Sequence, residues 1–186
     1  MTRRIHIVGS SPRTGTTLLT ELMRHGFEID GFTDHEEPLR RAPPEPYQSY
    51  LTKAPSDVLV AEAYLRIDPK LWILHMVRDP RDVVVSRHGR APDLYWTNLA
   101  VWKRYRRAAR RLESHPRFLT IRYEDLSADP DAVQRKIADF LPFLAFRRPF
   151  SEVHRVAEPS ADSVDALGGL RPVSAASVGA WPDSMA

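Results

Sequence analysis

Apolar positions along this chain switch between short unbroken runs and runs spaced three or four apart. Arg4–Gly9 (RIHIVG) predicts a short buried strand, and Leu71–Val77 (LWILHMV) a second. Thr14–His25 predicts a helix with Leu18, Leu19, Leu22 and Met23 on one face and Gly26 as its C-terminal cap. Residues 27–48 are acidic and then rich in proline (Pro38, Pro43, Pro44, Pro46), which predicts loop. Ser49–Thr52 predicts a short strand. Ser56 is placed to cap a helix running to about Arg66, and Asp79-Pro80 opens another with Pro at its start. A longer helix is predicted over 93–113, with Tyr95, Leu99, Trp102, Ala109 and Leu112 along one face. Phe118–Tyr123 (FLTIRY) predicts a strand. Asp129-Pro130 starts a last helix, with Val133, Ile137, Phe140 and Leu141 inward. From Pro142 onward regularity fades, and no internal repeat is present.

Strands alternating with helices imply right-handed βαβ units. The expected fold is α/β, a three-layer α/β/α arrangement around a central parallel sheet. Such sheets place ligands beyond the carboxyl ends of their strands, so chemistry-bearing residues are expected after strands. The 186 residues suit one domain, residues 1–186, with 142–186 its least regular part.

Composition narrows the function classes. Hydrophobic residues make up 42% and charged residues 27%, as in ordinary water-soluble domains. No apolar run approaches the roughly 18 residues of a membrane-spanning helix, and no apolar signal segment follows Met1, so a cytoplasmic protein is expected. The absence of cysteine removes disulfides, thiolate metal sites and cysteine nucleophiles. The net charge is only +3, which argues against a general nucleic-acid binder. The bases are nearly all arginine: of 27 basic residues, only Lys53, Lys70, Lys103 and Lys136 are lysine. Arginine's flat fork suits phosphate and carboxylate.

The segment Gly9–Thr17 (GSSPRTGTT) joins the first strand to the first helix. A loop there aims backbone N–H groups and the positive helix end at one point, and an anion is its natural occupant. Gly15 permits close approach, Thr16 and Thr17 add hydroxyls, and Arg13 adds a full charge. A merely structural turn is the competing reading. A nucleoside-triphosphate loop of the form GxxxxGK[ST] would place lysine where Thr16 stands and glycine where Ser10 stands. The loop therefore suits a single phosphate better than a triphosphate with Mg²⁺.

GSSPRTGTTLL resembles the 5′-phosphosulfate loop of the sulfotransferase family. That family's donor is 3′-phosphoadenosine 5′-phosphosulfate (PAPS), and its product is adenosine 3′,5′-bisphosphate (PAP). The resemblance implies a P-loop NTPase-like sulfotransferase fold. It also implies that Pro12, Arg13, Thr14, Gly15, Thr16 and Thr17 hold the 5′-phosphate, with Arg13 facing the transferring sulfuryl group. Arg78 to Ser86 (RDPRDVVVS) is similar to the family's 3′-phosphate signature, implying that Arg78 and Ser86 grip that phosphate. Arg81 and Asp82 are expected at the surface or as caps. Tyr123-Glu124-Asp125-Leu126 resembles the family's YEDL segment, implying Tyr123 near the adenine. Glu124 and Asp125 are then turn or helix-orienting groups. Leu170–Trp181 is similar, more loosely, to the C-terminal donor loop. It suggests Arg171 as a further contact, with Ser174 or Ser177 beside it.

Sulfuryl transfer needs positioning, charge neutralisation and a base, and no metal. Cytosolic members carry a Lys-Thr-His segment whose His is the base. Here Thr52-Lys53-Ala54-Pro55 supplies Lys53 to bridge the phosphosulfate and puts Pro55 where that His would be. The base is therefore sought in Asp34–Pro38, with Glu37 first, Glu36 next and His35 third. His6 and His75 read as core histidines. A basic run, Lys103 to Arg111, reads as a solvated face, as steering for an anionic donor, or as a nucleic-acid contact. The first has precedence, because the neighbouring aromatics fall on the buried side and offer bases no platform. The implied activity is transfer from PAPS to a hydroxyl or amine of a small-molecule or carbohydrate acceptor. A P-loop small-molecule kinase and a non-catalytic PAP-binding module are the alternatives.

Overall fold

The computed structural model describes residues 2–44, 46–88, 91–157 and 172–182. Strands β1 (Arg3–Gly9), β2 (Gly31–Phe32), β3 (Ser49–Lys53), β4 (Leu71–Val77) and β7 (Phe118–Arg122) form one sheet in the order β2-β3-β1-β4-β7. Every pairing in it is parallel, with Ile5 of β1 beside Leu51 of β3 and Trp72 of β4. Strands β5 (Arg87–His88) and β6 (Ala91–Tyr95) make a separate antiparallel hairpin. The helices are α1 (Thr16–Gly26), α2 (Ala61–Ile67), α3 (Pro80–Val84), α4 (Leu99–Arg110), α5 (Tyr123–Ala128) and α6 (Pro130–Phe140).

The two faces of the sheet carry separate apolar clusters, so the expected three layers are present. On one face Ile5, Ile7, Leu74 and Ile121 meet Leu19, Met23, Ile137 and Phe150. On the other, Val8, Leu71 and Ile73 meet Val58, Leu65, Ala109 and Leu112. Strands buried on both faces read as mainly apolar runs, which is why β1 and β4 were legible in the sequence.

Several boundaries differ from expectation. The helix predicted over 93–113 begins only at Leu99, because Asn98 Oδ1 accepts the Val101 N–H and caps it. The residues before it turn into β6 instead. Tyr95 and Leu99 are consequently 53% and 44% exposed, not on a buried face. Ser56 caps nothing. Pro55 instead leads a 3-10 turn, Pro55–Leu59, and α2 follows at Ala61. Gly26 is the last residue of α1, and its φ is not left-handed. A Cβ there would lie 2.4 Å from the Phe150 ring, so the glycine serves packing, not capping. Among the described residues past Pro142 regular structure is sparse, yet Phe150 and Val153 are fully buried and complete the first cluster.

Candidate active site

The loop Ser10–Gly15 crosses the carboxyl end of β1. Gly15 caps α1 at φ 94°, no side chain caps the helix start, and its first turn holds no acid. The leading N–H groups of α1 therefore face the loop's concavity, where the positive helix end favours an anion. Arg13 also sits at positive φ, 70°, which costs a non-glycine residue roughly 1–2 kcal/mol. The loop is braced from below. Thr14 Oγ1 donates to Ser11 O at 2.9 Å, and Ser10 Oγ lies 2.8 Å from His75 Nε2. His75 is buried, as expected, and bridges on to Thr120 Oγ1 at 3.1 Å. Burial pushes its pKa down to about 3, so it is a neutral spacer at physiological pH. Thr14 and Thr16 are buried beneath the loop, while Pro12 and Thr17 are half-buried.

A Cβ on Gly15 would lie 2.6 Å from Cδ2 of Tyr123. Gly15→Ala is accordingly expected to lower stability by about 1–2 kcal/mol, from strain plus the displaced ring, which thermal melting checks.

The second motif folds onto the first. Arg78 follows β4 and Ser86 lies just past α3, not within a helix as expected, because α3 ends at Val84. Arg13 Nε donates to Ser86 Oγ at 2.9 Å, joining residues from the two phosphate-type motifs. Burial first, and the charge of Arg78 second, lower the Arg13 pKa from its ordinary value. The Arg78 guanidinium lies 4.3 Å from the centre of the Tyr123 ring. Its Nε is buried with no hydrogen-bond partner among the described residues. Lys53 closes the other side, its Nζ donating to Thr17 Oγ1 at 2.9 Å. The loop, Arg78, Ser86, Tyr123 and Lys53 thus surround one region of positive charge.

The segment 172–182 reaches the same place. Arg78 donates to Ser177 O at 2.5 Å, and Tyr123 Oη lies 2.7 Å from Ser177 Oγ. Asp82, expected at the surface or as a cap, is 5% exposed. Its carboxylate accepts the N–H groups of Gly179 and Trp181 at 2.8 and 3.1 Å, and lies 3.9 Å from Arg78. Asp79 is the true cap of α3 and also pairs with the exposed Arg81. Sequence reasoning missed this use of Asp82. The i,i+4 spacing from Arg78 was the available signal. Glu124 orients the turn as expected, accepting the Asp79 N–H at 2.8 Å. Arg171 lies outside the described residues.

At the segment where the base was sought, the Thr33 and Glu37 N–H groups donate to Leu51 O and Lys53 O, lacing it along β3. His35 and Glu36 are exposed on the bulge between those bonds. Glu37 is 7% exposed, and its carboxylate turns inward, 4.0 Å from Arg4 and 3.6 Å from Arg41. Arg4 is buried too and donates to the carbonyls of Pro38, Leu39 and Arg41. Its Nε donates to Thr52 Oγ1, while His6 bonds the same hydroxyl and faces Asp57 at 3.3 Å. This polar cluster fastens the 37–41 loop to the sheet.

Comparison with known proteins follows the same lines. A family model described as "Sulfotransferase family" matches residues 35–143, more than half of the chain. No curated protein matches the chain in a sequence search. Among solved structures, the sulfotransferase domain from the curacin biosynthetic pathway aligns with a TM-score of 0.58 at 16% identity, over 89% of this chain and 83% of that one. A mouse sulfotransferase complexed with PAP aligns at 0.55 and 17% identity, over 82% and 62% of the two chains. A retinol dehydratase complexed with androsterone and PAP aligns at 0.54 and 18% identity, over 97% and 75%. The family match, on a parallel sheet carrying an open loop at the end of β1, makes this chain a member of the sulfotransferase family.

Proposed function

We propose that the chain transfers a sulfuryl group from PAPS to an acceptor hydroxyl or amine. The observation that carries this reading is the Arg13–Ser86 hydrogen bond at 2.9 Å, which brings the loop after β1 and the motif after β4 together, within reach of a single nucleotide. Three features of the site fit a nucleotide with two separated phosphates. The α1 start is uncapped by any side chain, Gly15 lets the Tyr123 ring pack against the loop, and Arg78 keeps a buried N–H without a partner among the described residues. Two solved relatives of the same fold are complexed with PAP.

In this reading the amides of Arg13–Thr17 hold the 5′-phosphate. Arg78 and Ser86 hold the 3′-phosphate, Tyr123 flanks the adenine, and Arg171 is a further donor contact. Arg13 and Lys53 neutralise charge that builds on the bridging oxygen as the sulfur–oxygen bond to the 5′-phosphate breaks. The acceptor oxygen or nitrogen forms the new bond to sulfur, and its proton passes to a base. The His35–Glu37 segment supplies that base. Within it Glu36 takes first place, since the Glu37 carboxylate is turned away toward Arg4 and Arg41.

Thermal melting with PAP and with ATP·Mg²⁺ tests the donor assignment. PAP is expected to raise Tm, the rise growing with the logarithm of its concentration above Kd. Stabilisation by ATP·Mg²⁺ alone would replace this reading with that of a kinase. Turnover of PAPS with a phenol, an amine or a sugar then separates an enzyme from a PAP-binding module.

A further inference from the structure

Four exposed apolar side chains gather in one place. Leu94, Tyr95, Trp96 and Leu99 are all exposed, Leu94 and Trp96 by 62% and 42%. They lie where β6 ends and α4 begins. A single exposed leucine is ordinary, but a cluster of this kind marks a contact surface. The cluster runs straight into a basic face. Leu99 is followed at i+4, i+7, i+8 and i+11 by Lys103, Arg106, Arg107 and Arg110, which puts all five on one side of α4. The other side, with Tyr105, Ala108 and Ala109, joins the second apolar cluster on the sheet.

From Leu94 to Arg111 the sequence holds no Asp or Glu. The bases of α4 are like-charge neighbours at helical spacing, which opposes helix formation in water. Elsewhere the chain answers a base locally, as Glu62 answers Arg66 within α2. On α4, Arg106 pairs with Glu113 beyond the helix end, and no carboxylate among the described residues pairs with Lys103, Arg107 or Arg110. The Arg87 guanidinium lies 4.1 Å from the centre of the Tyr95 ring and adds a cation at the hairpin itself. Leucine, tyrosine and tryptophan rimmed by arginine and lysine are the side chains that settle at a lipid–water boundary.

We propose that this face docks on a membrane surface that carries anionic lipid. Leu94, Tyr95, Trp96 and Leu99 enter the boundary between headgroups and acyl chains, and Lys103, Arg107 and Arg110 meet the headgroup charge. A bilayer answers both needs over a broad area without a matched contour. A DNA duplex would answer the charges and leave Leu94 and Leu99 in water. A second copy meeting this face about a twofold axis would set one basic helix against another. The hairpin is rooted in the loop after β1. Arg13 Nε donates to Ser86 Oγ, just before β5, and Ser11 Oγ donates to Thr97 Oγ1, just after β6, each at 2.9 Å. Docking therefore holds that loop beside the lipid surface.

The test sediments the full chain with phosphatidylcholine vesicles containing about one-third phosphatidylserine. Pure phosphatidylcholine vesicles and a short DNA duplex serve as comparators. Wild-type protein is expected to bind the anionic vesicles, more weakly as salt rises, with tryptophan emission moving to shorter wavelength as Trp96 leaves water. Lys103→Ala, Arg107→Ala and Arg110→Ala combined should weaken that binding about tenfold or more. Their Tm should hold or rise, because alanine favours helix and removes repulsion. Leu94→Ser and Trp96→Ser combined should weaken binding to a similar degree and abolish the emission shift. PAP affinity should be unchanged in both variants. Failure to bind anionic vesicles, equal binding to pure phosphatidylcholine, tighter binding of the duplex, or wild-type vesicle affinity in either variant would overturn the proposal. Vesicle binding needs neither PAPS nor PAP, so its failure leaves the donor reading standing, and a failure of PAP binding leaves this one.

Discussion

Arg78→Ala is expected to weaken PAP affinity about 30- to 1,000-fold, equivalent to about 2–4 kcal/mol, because it strands a phosphate charge in a partly dehydrated site. The magnitude follows from where the guanidinium lies. It is held between the Tyr123 ring and the carboxylate of Asp82, it donates to Ser177 O, and its Nε keeps a buried N–H for a ligand. Removing it therefore deletes the charge and loosens the segment that Asp82 clasps. Arg78→Lys separates the two contributions. It keeps the charge but not the planar fork, and is expected to recover part of the affinity while leaving the Ser177 contact broken. Calorimetric titration of PAP into both variants measures this, with thermal melting to show that the fold persists. Unchanged affinity in Arg78→Ala would remove the 3′-phosphate assignment.

The meeting of the two motifs was legible because their residues sit where chain topology must bring them together. β1 and β4 are neighbours in the sheet, so whatever follows each strand meets at the same edge. Arg13 and Ser86 are 73 residues apart in sequence and 2.9 Å apart in space for that reason alone. The long buried strands were equally plain, since burial on both faces leaves mainly apolar residues, with Arg4 and His6 in β1 and His75 in β4 as the polar exceptions. Less was legible where a local signal competed with a distant partner. Gly26 looks like a helix cap in isolation, and only the arrival of Phe150 reveals that it clears space for a ring. Asp82 looks like a first-turn surface acid, and only the return of residues 172–182 makes it a buried clasp. Tyr95 and Leu99 fit a helical face on paper, but α4 starts only after its cap Asn98, a local signal within the same segment, and both side chains are exposed. Spacing within one segment cannot carry information about a segment that arrives a hundred residues later.

The same limit governs the base, and it yields the second large effect. Glu36→Gln is expected to lower kcat about 10²–10⁴-fold with PAP affinity intact, the usual contribution of a positioned base. Composition alone could not rank Glu36 against Glu37, because the two carboxylates are adjacent and chemically alike. The fold separates them: the Glu37 N–H is tied to Lys53 O, its side chain is buried toward Arg4 and Arg41, and Glu36 stays exposed on the bulge beside the end of β3. Glu37→Gln should therefore show a different signature. It leaves Arg4 buried with a weaker partner, so about 1–3 kcal/mol of stability should be lost, with a smaller drop in kcat. Single-turnover kinetics at saturating PAPS, paired with thermal melting, tell the two apart. A collapse of kcat in Glu37→Gln without loss of stability, with Glu36→Gln near wild type, would return the base to Glu37. Wild-type rates in both would move it to His35, where replacement by Asn should then lower kcat with PAP affinity intact.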